Sequence, residues 1–226
     1  MFYIIGHRGA SGHITENTLE SIQRALDLNV DAIEIDVHVC ASGEVVVFHD
    51  FTLDRLTDTI GAISDFSLEE LKKIKIKDTF YIPTLEEVLH LVNRKCWINI
   101  ELKGEHTAVP VFKILEKYIS DKNWETGDFV ISSFQYSELK TFSQFNSEIP
   151  VAVLTQASID QAIELAVEFK ASAIHPHFSL LTKESCDKAK EMGFKINTWT
   201  VNNFEDIEHI KRFPIDGIIT DFPDRI

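Results

Sequence analysis

Charged residues stand where buried strands should be apolar. The run Ala32–Val39 (AIEIDVHV) carries Glu34 and Asp36, and the run WINIELK carries Glu101 and Lys103. Side chains alternate along a strand, so each pair shares one face, its members roughly 7 Å apart. A charge inside a parallel strand, buried on both faces, costs on the order of several kcal/mol unless it is paired or holds a metal. Three carboxylates converging from neighbouring strands repel one another unless a cation sits between them. All-oxygen donors suit one hard divalent ion, Mg²⁺ or Ca²⁺, rather than zinc. The alternative is a structural network in which Arg8 and Lys103 neutralise Glu34, Asp36 and Glu101.

Two histidines stand at the ends of other apolar runs, His7 beside Arg8 and His49 beside Asp50. An imidazole titrates near neutral pH, at about 6.5, which suits a general acid and a general base. Arg8 and Lys103, with a divalent ion, make a cradle for a phosphate group. The other histidines carry less. His13, His38, His90, His106 and His209 read as surface or loop residues, and the HxH pair His175 and His177 is in isolation more often structural than metal-binding. Trp199, in the run KINTWTV, reads equally well as a core residue or as a pocket wall.

These residues need elements to position them. Apolar runs at Phe2–His7, Ala32–Val39, Val45–His49, Trp97–Leu102, Phe129–Phe134, Val151–Leu154, Ser172–His175, Lys195–Val201 and Gly217–Thr220 give nine candidate strands. Helical periodicity follows most of them: over Asn17–Leu28, with Asn17 and Glu20 as the capping signal; from Ser67 and Thr84; near Val109–Ile119 and Gln135–Phe145; and from Ser158, Thr182 and Asn203. Only CASGE separates Val39 from Val45, whereas a parallel crossover needs about a dozen residues, so Val45–His49 returns as an antiparallel hairpin partner. Eight strands remain in β-then-α alternation, which is the arithmetic of a TIM (β/α)8 barrel, with the charged residues at the strand ends where barrel active sites form. A doubly wound open sheet would expect a GxGxxG turn after the first strand, and none is present. The whole chain, 1–226, reads as a single domain. Residues 51–82 form a small inserted cap, either a lid over the site or a packed surface excursion.

Composition narrows the class. The 226 residues include 22 Lys and Arg against 36 Asp and Glu, a formal charge of −14 that leaves no excess of cations to neutralise nucleic-acid phosphates. The same charge favours solubility but does not fix an oligomeric state. Cys40, Cys96 and Cys186 are odd in number and far apart, which argues against a disulfide scaffold or structural zinc and for a reducing compartment. The opening apolar run, Met1–Ile5, is short and has no basic residue before it, and no window reaches the length of a membrane span. A soluble, cytoplasmic protein acting on a small molecule, without stable membrane insertion, is the expectation.

The ordered set HRGASGHITENTLESI, EIDVHVCASGEVVVFHD, LDRLTDTIGAISDFSLEEL, IPTLEEVL, NIELK, TWTVN and DGIITDFP resembles the glycerophosphodiester phosphodiesterase family. The resemblance runs from His7 to Pro223. It implies a TIM barrel with a small insertion after the HD motif, and divalent-metal-dependent hydrolysis of glycerophosphodiesters to glycerol 3-phosphate and an alcohol. Carried over, it makes Glu34, Asp36 and Glu101 metal ligands and His7 and His49 the acid/base pair. Arg8 and Lys103 become phosphate contacts, and Trp199 lines the glycerol end of the pocket. One departure is that Thr15 stands where the family usually has a proline. Two rivals follow. A lysophospholipase D or sphingomyelinase D-like enzyme would need an apolar mouth, for which Phe66, Phe80, Tyr81 and Ile82 are the candidates; a phosphate-ligand sensor would bind without turnover.

Overall fold

In the computed structural model, residues 2–145 and 148–226 are described, so Met1 of the opening apolar run lies outside them. Among these residues, eight parallel strands close into a barrel: β1 (Tyr3–His7), β2 (Ala32–Val39), β6 (Trp97–Leu102), β7 (Phe129–Ser133), β8 (Val151–Thr155), β9 (Ala173–Pro176), β10 (Lys195–Thr198) and β11 (Gly217–Thr220). Neighbours pair in that order, and β11 returns to β1 through Tyr3 opposite Gly217. The hairpin partner β3 (Val45–Val47) runs antiparallel to β2, with Val37 opposite Val47. This is the TIM barrel that the spacing of CASGE required.

Alternation divides each strand between two environments. On β2, Ile33, Ile35 and Val37 face the helices and join the main core with Ile22 and Ala25 of α1 (Leu19–Asp27) and Leu85, Val88 and Leu89 of α3 (Leu85–Val92). Each such side chain contributes about 1.5–3 kcal/mol by leaving water. The outer ring continues through α4 (Ala108–Asp121), α5 (Tyr136–Ser143), α6 (Ile159–Glu168), α7 (Lys183–Glu191) and α8 (Phe204–Ile210). The other face of β2 turns Glu34, Asp36 and His38 inward, all three buried. His38 is therefore not the surface residue expected: the period of two that buries the carboxylates buries it as well, with Nε2 3.2 Å from the His49 carbonyl.

The cap of α1 also differs from expectation. Thr18, not Asn17, is the N-cap, its hydroxyl accepting the Ser21 N–H at 3.1 Å. Asn17 lies one residue outside with φ of 55°, and its carboxamide reaches into the barrel mouth instead. The segment 51–82 builds a satellite core of its own. Leu53, Leu56, Ile63, Leu71 and Ile76 pack on Cys40, Val46 and Phe48 of the hairpin, and the short α2 (Leu68–Leu71) and the ribbon β4 (Lys75–Ile76)–β5 (Phe80–Tyr81) complete it.

Candidate active site

The turn after β1 brings the first residues together. Arg8 and Gly9 have φ of 52° and 90°, which folds the chain back on itself. Arg8 N–H donates to Glu34 Oε2 at 2.9 Å. The Asn17 N–H donates to the Arg8 carbonyl at 3.0 Å, and the Ala10 N–H to the Ser21 carbonyl at 3.1 Å, so the turn is held on the start of α1. From that position Asn17 Nδ2 donates to Asp36 Oδ2 at 2.9 Å.

Glu34, Asp36 and Glu101, all buried, each offer an oxygen within 4.8 Å of the others'. Strand register explains this: Asp36 lies opposite Glu101 on the neighbouring strand. Arg8 Nε is 3.3 Å from Asp36, and Lys103 Nζ donates to Glu101 at 3.0 Å while lying 3.8 Å from Asp36. Glu34 is less well served: among the described residues its side chain accepts the Arg8 backbone N–H, and His7 Nε2 lies 4.0 Å away. Burial, with Asp36 and Glu101 alongside, holds the Glu34 carboxyl well above the ordinary carboxylate range. Burial and Asp36 push Glu101 up to about 7. Burial also works against ionisation of Asp36, but Arg8, His49 and Lys103 outweigh it and keep that carboxyl low. Three oxygen donors, mutually destabilised as anions, fit one hard divalent cation. Among the described residues this is the one cluster of three or more metal-ligating side chains.

The two imidazoles are each backed by a carboxylate. His7 Nδ1 lies 2.6 Å from Asp221 Oδ1, and His49 Nδ1 lies 2.6 Å from Asp50 Oδ1. A carboxylate accepts, so Nδ1 carries a proton in both rings and Nε2 is the nitrogen left free of that contact. Asp221 is itself fixed by Ser11 Oγ and Asn202 Nδ2, each at 2.7 Å. Burial opposes the charge, but hydrogen bonds from His7, Ser11 and Asn202 pull its carboxyl down to about 2. Asp50 is likewise about 2, with burial outweighed by hydrogen bonds from Arg55 and His49. Burial lowers the His49 imidazole below its ordinary value, so it is neutral near pH 7.

A cavity of about 250 Å³ opens at the carboxyl ends of the strands and is lined by His7, Arg8, Glu34, His49, Glu101 and Lys103, with Asp36 immediately behind Arg8. Trp199 takes both positions: it packs on the core residues Ile5, Ala32 and Ile219, lines the cavity, donates Nε1–H to the His175 carbonyl at 2.7 Å and meets Phe134 edge-on at 5.5 Å. All eight site residues named from the sequence thus converge on one place. Asp221, Glu16 and Arg55 are not among the site residues named from the sequence, although the DFP, ENT and LDRL motifs contain them. The HxH pair does not ligate together: His175 is sealed in the barrel interior against Asn197 at 3.0 Å, while His177 bonds Ser179. The apolar residues offered for a lipid-facing mouth are also not there. Ile82 is fully buried, Phe66 and Phe80 pack on the satellite core, and neither they nor the half-exposed Tyr81 line the cavity.

A parallel barrel with carboxylate-backed imidazoles, cationic side chains and a buried acidic cluster at its carboxyl end has the make-up of a TIM-barrel phosphodiesterase. Residues 7–225 match the model of the glycerophosphoryl diester phosphodiesterase family. A glycerophosphodiester phosphodiesterase from Caldanaerobacter subterraneus is 35% identical over 99% of this chain and 95% of its own length. One from Bacillus altitudinis is 34% identical over 100% of this chain and 96% of its own. Among solved structures, a phosphodiesterase from Oleispira antarctica in complex with the product sn-glycerol-3-phosphate superposes with a TM-score of 0.91 at 27% identity, covering 99% of this chain and 94% of that one. The chain belongs to the glycerophosphoryl diester phosphodiesterase family.

Proposed function

We propose that the chain hydrolyses glycerophosphodiesters to glycerol 3-phosphate and an alcohol, with one divalent cation held by Glu34, Asp36 and Glu101. The observation that carries this is the pairing of two carboxylate-backed imidazoles with a buried, under-neutralised acidic cluster across a single cavity. The bound product of the Oleispira antarctica relative supports the substrate class. When bound, Mg²⁺ or Ca²⁺ supplies Lewis-acid stabilisation of charge on the phosphoryl oxygens. Arg8 and Lys103 supply fixed positive charge at the same oxygens. One imidazole, neutral, takes the proton of the nucleophile at Nε2; the other, protonated on both nitrogens, gives its Nε2 proton to the leaving alcohol oxygen as its bond to phosphorus breaks. The nucleophile is water, or the glycerol 2-hydroxyl followed by opening of a cyclic phosphate with water. On the direct route each imidazole acts once; on the cyclic route the two exchange roles when water opens the ring, the former base returning its proton to the glycerol 2-oxygen. Trp199 walls the end of the cavity that takes the glycerol.

The test is release of glycerol 3-phosphate from glycerophosphocholine and glycerophosphoethanolamine with Mg²⁺, with Ca²⁺ and with EDTA. Release with one or both ions, abolished by EDTA, is expected. A folded protein that releases none with either ion overturns the reading for these substrates. Turnover of a lysophospholipid instead would move the assignment to lipid substrates.

A further inference from the structure

From the segment 51–82, Arg55 reaches the carboxylates at the rim of the site. Its guanidinium grips Asp50 through Nε at 2.5 Å and Nη2 at 3.0 Å. The same group donates to both oxygens of Glu16, Nη1 at 3.0 Å and Nη2 at 2.7 Å. Each carboxylate then reaches one working residue. Asp50 backs His49 Nδ1 at 2.6 Å, and Glu16 accepts from Arg8 Nη1 at 2.7 Å. The flanking residues Leu53 and Leu56 are sealed in the satellite core, and Leu53 N–H and Leu56 C=O are bonded to Gly61 and Lys77, so the insertion holds the Arg55 backbone rigidly.

We propose that Arg55 is a positioning residue. It ties His49, through Asp50, and Arg8, through Glu16, into one frame, so that segment 51–82 sets the spacing between an acid/base nitrogen and a phosphate-binding cation. A planar fork can serve two carboxylates at once, which a lysine ammonium cannot do with the same geometry. The inference rests on the diesterase reading above for its catalytic meaning, but its geometry can be tested apart from turnover.

Arg55→Ala and Arg55→Lys would be compared with wild type and with Lys73→Ala, an exposed residue of the same segment that pairs with Glu69 on the surface. Misplacement of a catalytic group by about 1 Å costs on the order of 100-fold in rate. Arg55→Ala is therefore expected to lower kcat by roughly 10- to 100-fold with KM changed less than about threefold. Added guanidinium should raise its turnover several-fold, because the site is half exposed, and Lys73→Ala should behave as wild type. The ¹⁵N spectrum of the His49 ring should show Nδ1–H in wild type and a mixture of tautomers in Arg55→Ala. If Arg55→Ala does not fold, Arg55→Lys carries the same two readouts. An unchanged kcat, or a lost kcat with an unchanged His49 spectrum and no rescue, would overturn the proposal. A wild type inactive on every diester overturns the diesterase reading instead, and the His49 spectrum still decides the role of Arg55.

Discussion

The two carboxylates behind the imidazoles are held by different parts of the molecule. Asp50 depends on the insertion, whereas Asp221 at the end of β11 is gripped by Ser11 from the first turn and Asn202 from the loop after β10. The grip leaves Asp221 Oδ1 a pure acceptor for His7 Nδ1, which fixes the tautomer that frees Nε2. Asp221→Asn can present an amide N–H to Nδ1 and so favour the wrong tautomer. It is expected to lower kcat by roughly 10²–10⁴-fold, close to the loss from His7→Ala, while leaving the fold intact. Because the two act as a unit, the double variant should be no slower than His7→Ala alone. Steady-state kinetics on the three variants checks this. Turnover near wild type in Asp221→Asn would leave His7 oriented by something else.

At the scale of elements, the site depends on how closely the first turn packs on α1. Gly9, with φ of 90°, lies where an added Cβ would meet Ser21 Oγ at 2.5 Å and the Ser21 carbonyl carbon at 2.6 Å. Neither the conformation nor the space admits a side chain. Gly9→Ala must push the turn off the helix and draw the Arg8 N–H away from Glu34. It is expected to destabilise the protein by roughly 2–4 kcal/mol, read as a lower urea midpoint, and to reduce turnover as well. An unchanged midpoint would mean that the turn relaxes freely. This element also shows what sequence pattern carries and what it does not. Alternation placed Glu34, Asp36 and Glu101 on one wall and the loop length of CASGE settled the topology, because both are local. Asn17 and Thr18 are adjacent and both good caps, and only the position of Asp36 across the mouth decides that Asn17 leaves the helix. Asp221, 214 residues from His7, and Glu16, 39 from Arg55, have no local spacing that points to those partners. Their roles become visible only once the barrel closes.

For the molecule as a whole, anions outnumber cations, giving a charge of −14, and the same imbalance holds at the site. Glu16, Glu34, Asp36, Asp50, Glu101 and Asp221 gather at one end of the barrel against Arg8, Arg55 and Lys103. A divalent ion offsets that excess of anions. The barrel interior below carries the opposite problem, a basic group kept neutral. His175 is fully buried, Asn197 Nδ2 approaches its Nε2 at 3.0 Å, and its Nδ1 has no hydrogen-bond partner among the described residues. Burial holds the imidazole down to about 3, against 6.5 in an ordinary setting. Above pH 6.5 the ring is neutral whether the chain is folded or not, and it contributes no pH dependence. Below that, the unfolded chain takes up a proton that the folded barrel refuses, so stability falls with pH until the folded ring titrates near 3. The slope reaches about 1.4 kcal/mol per pH unit for one proton. His175→Gln keeps an acceptor for Asn197 and removes the titration. Urea midpoints between about pH 7.5 and pH 4.5 should then fall less steeply in the variant, by close to one proton's worth of slope. Carboxylates such as Glu101 titrate in the same range but are common to both proteins, so the difference between the two curves isolates His175. Parallel curves would mean that the folded barrel admits the proton, and with it water, to its interior.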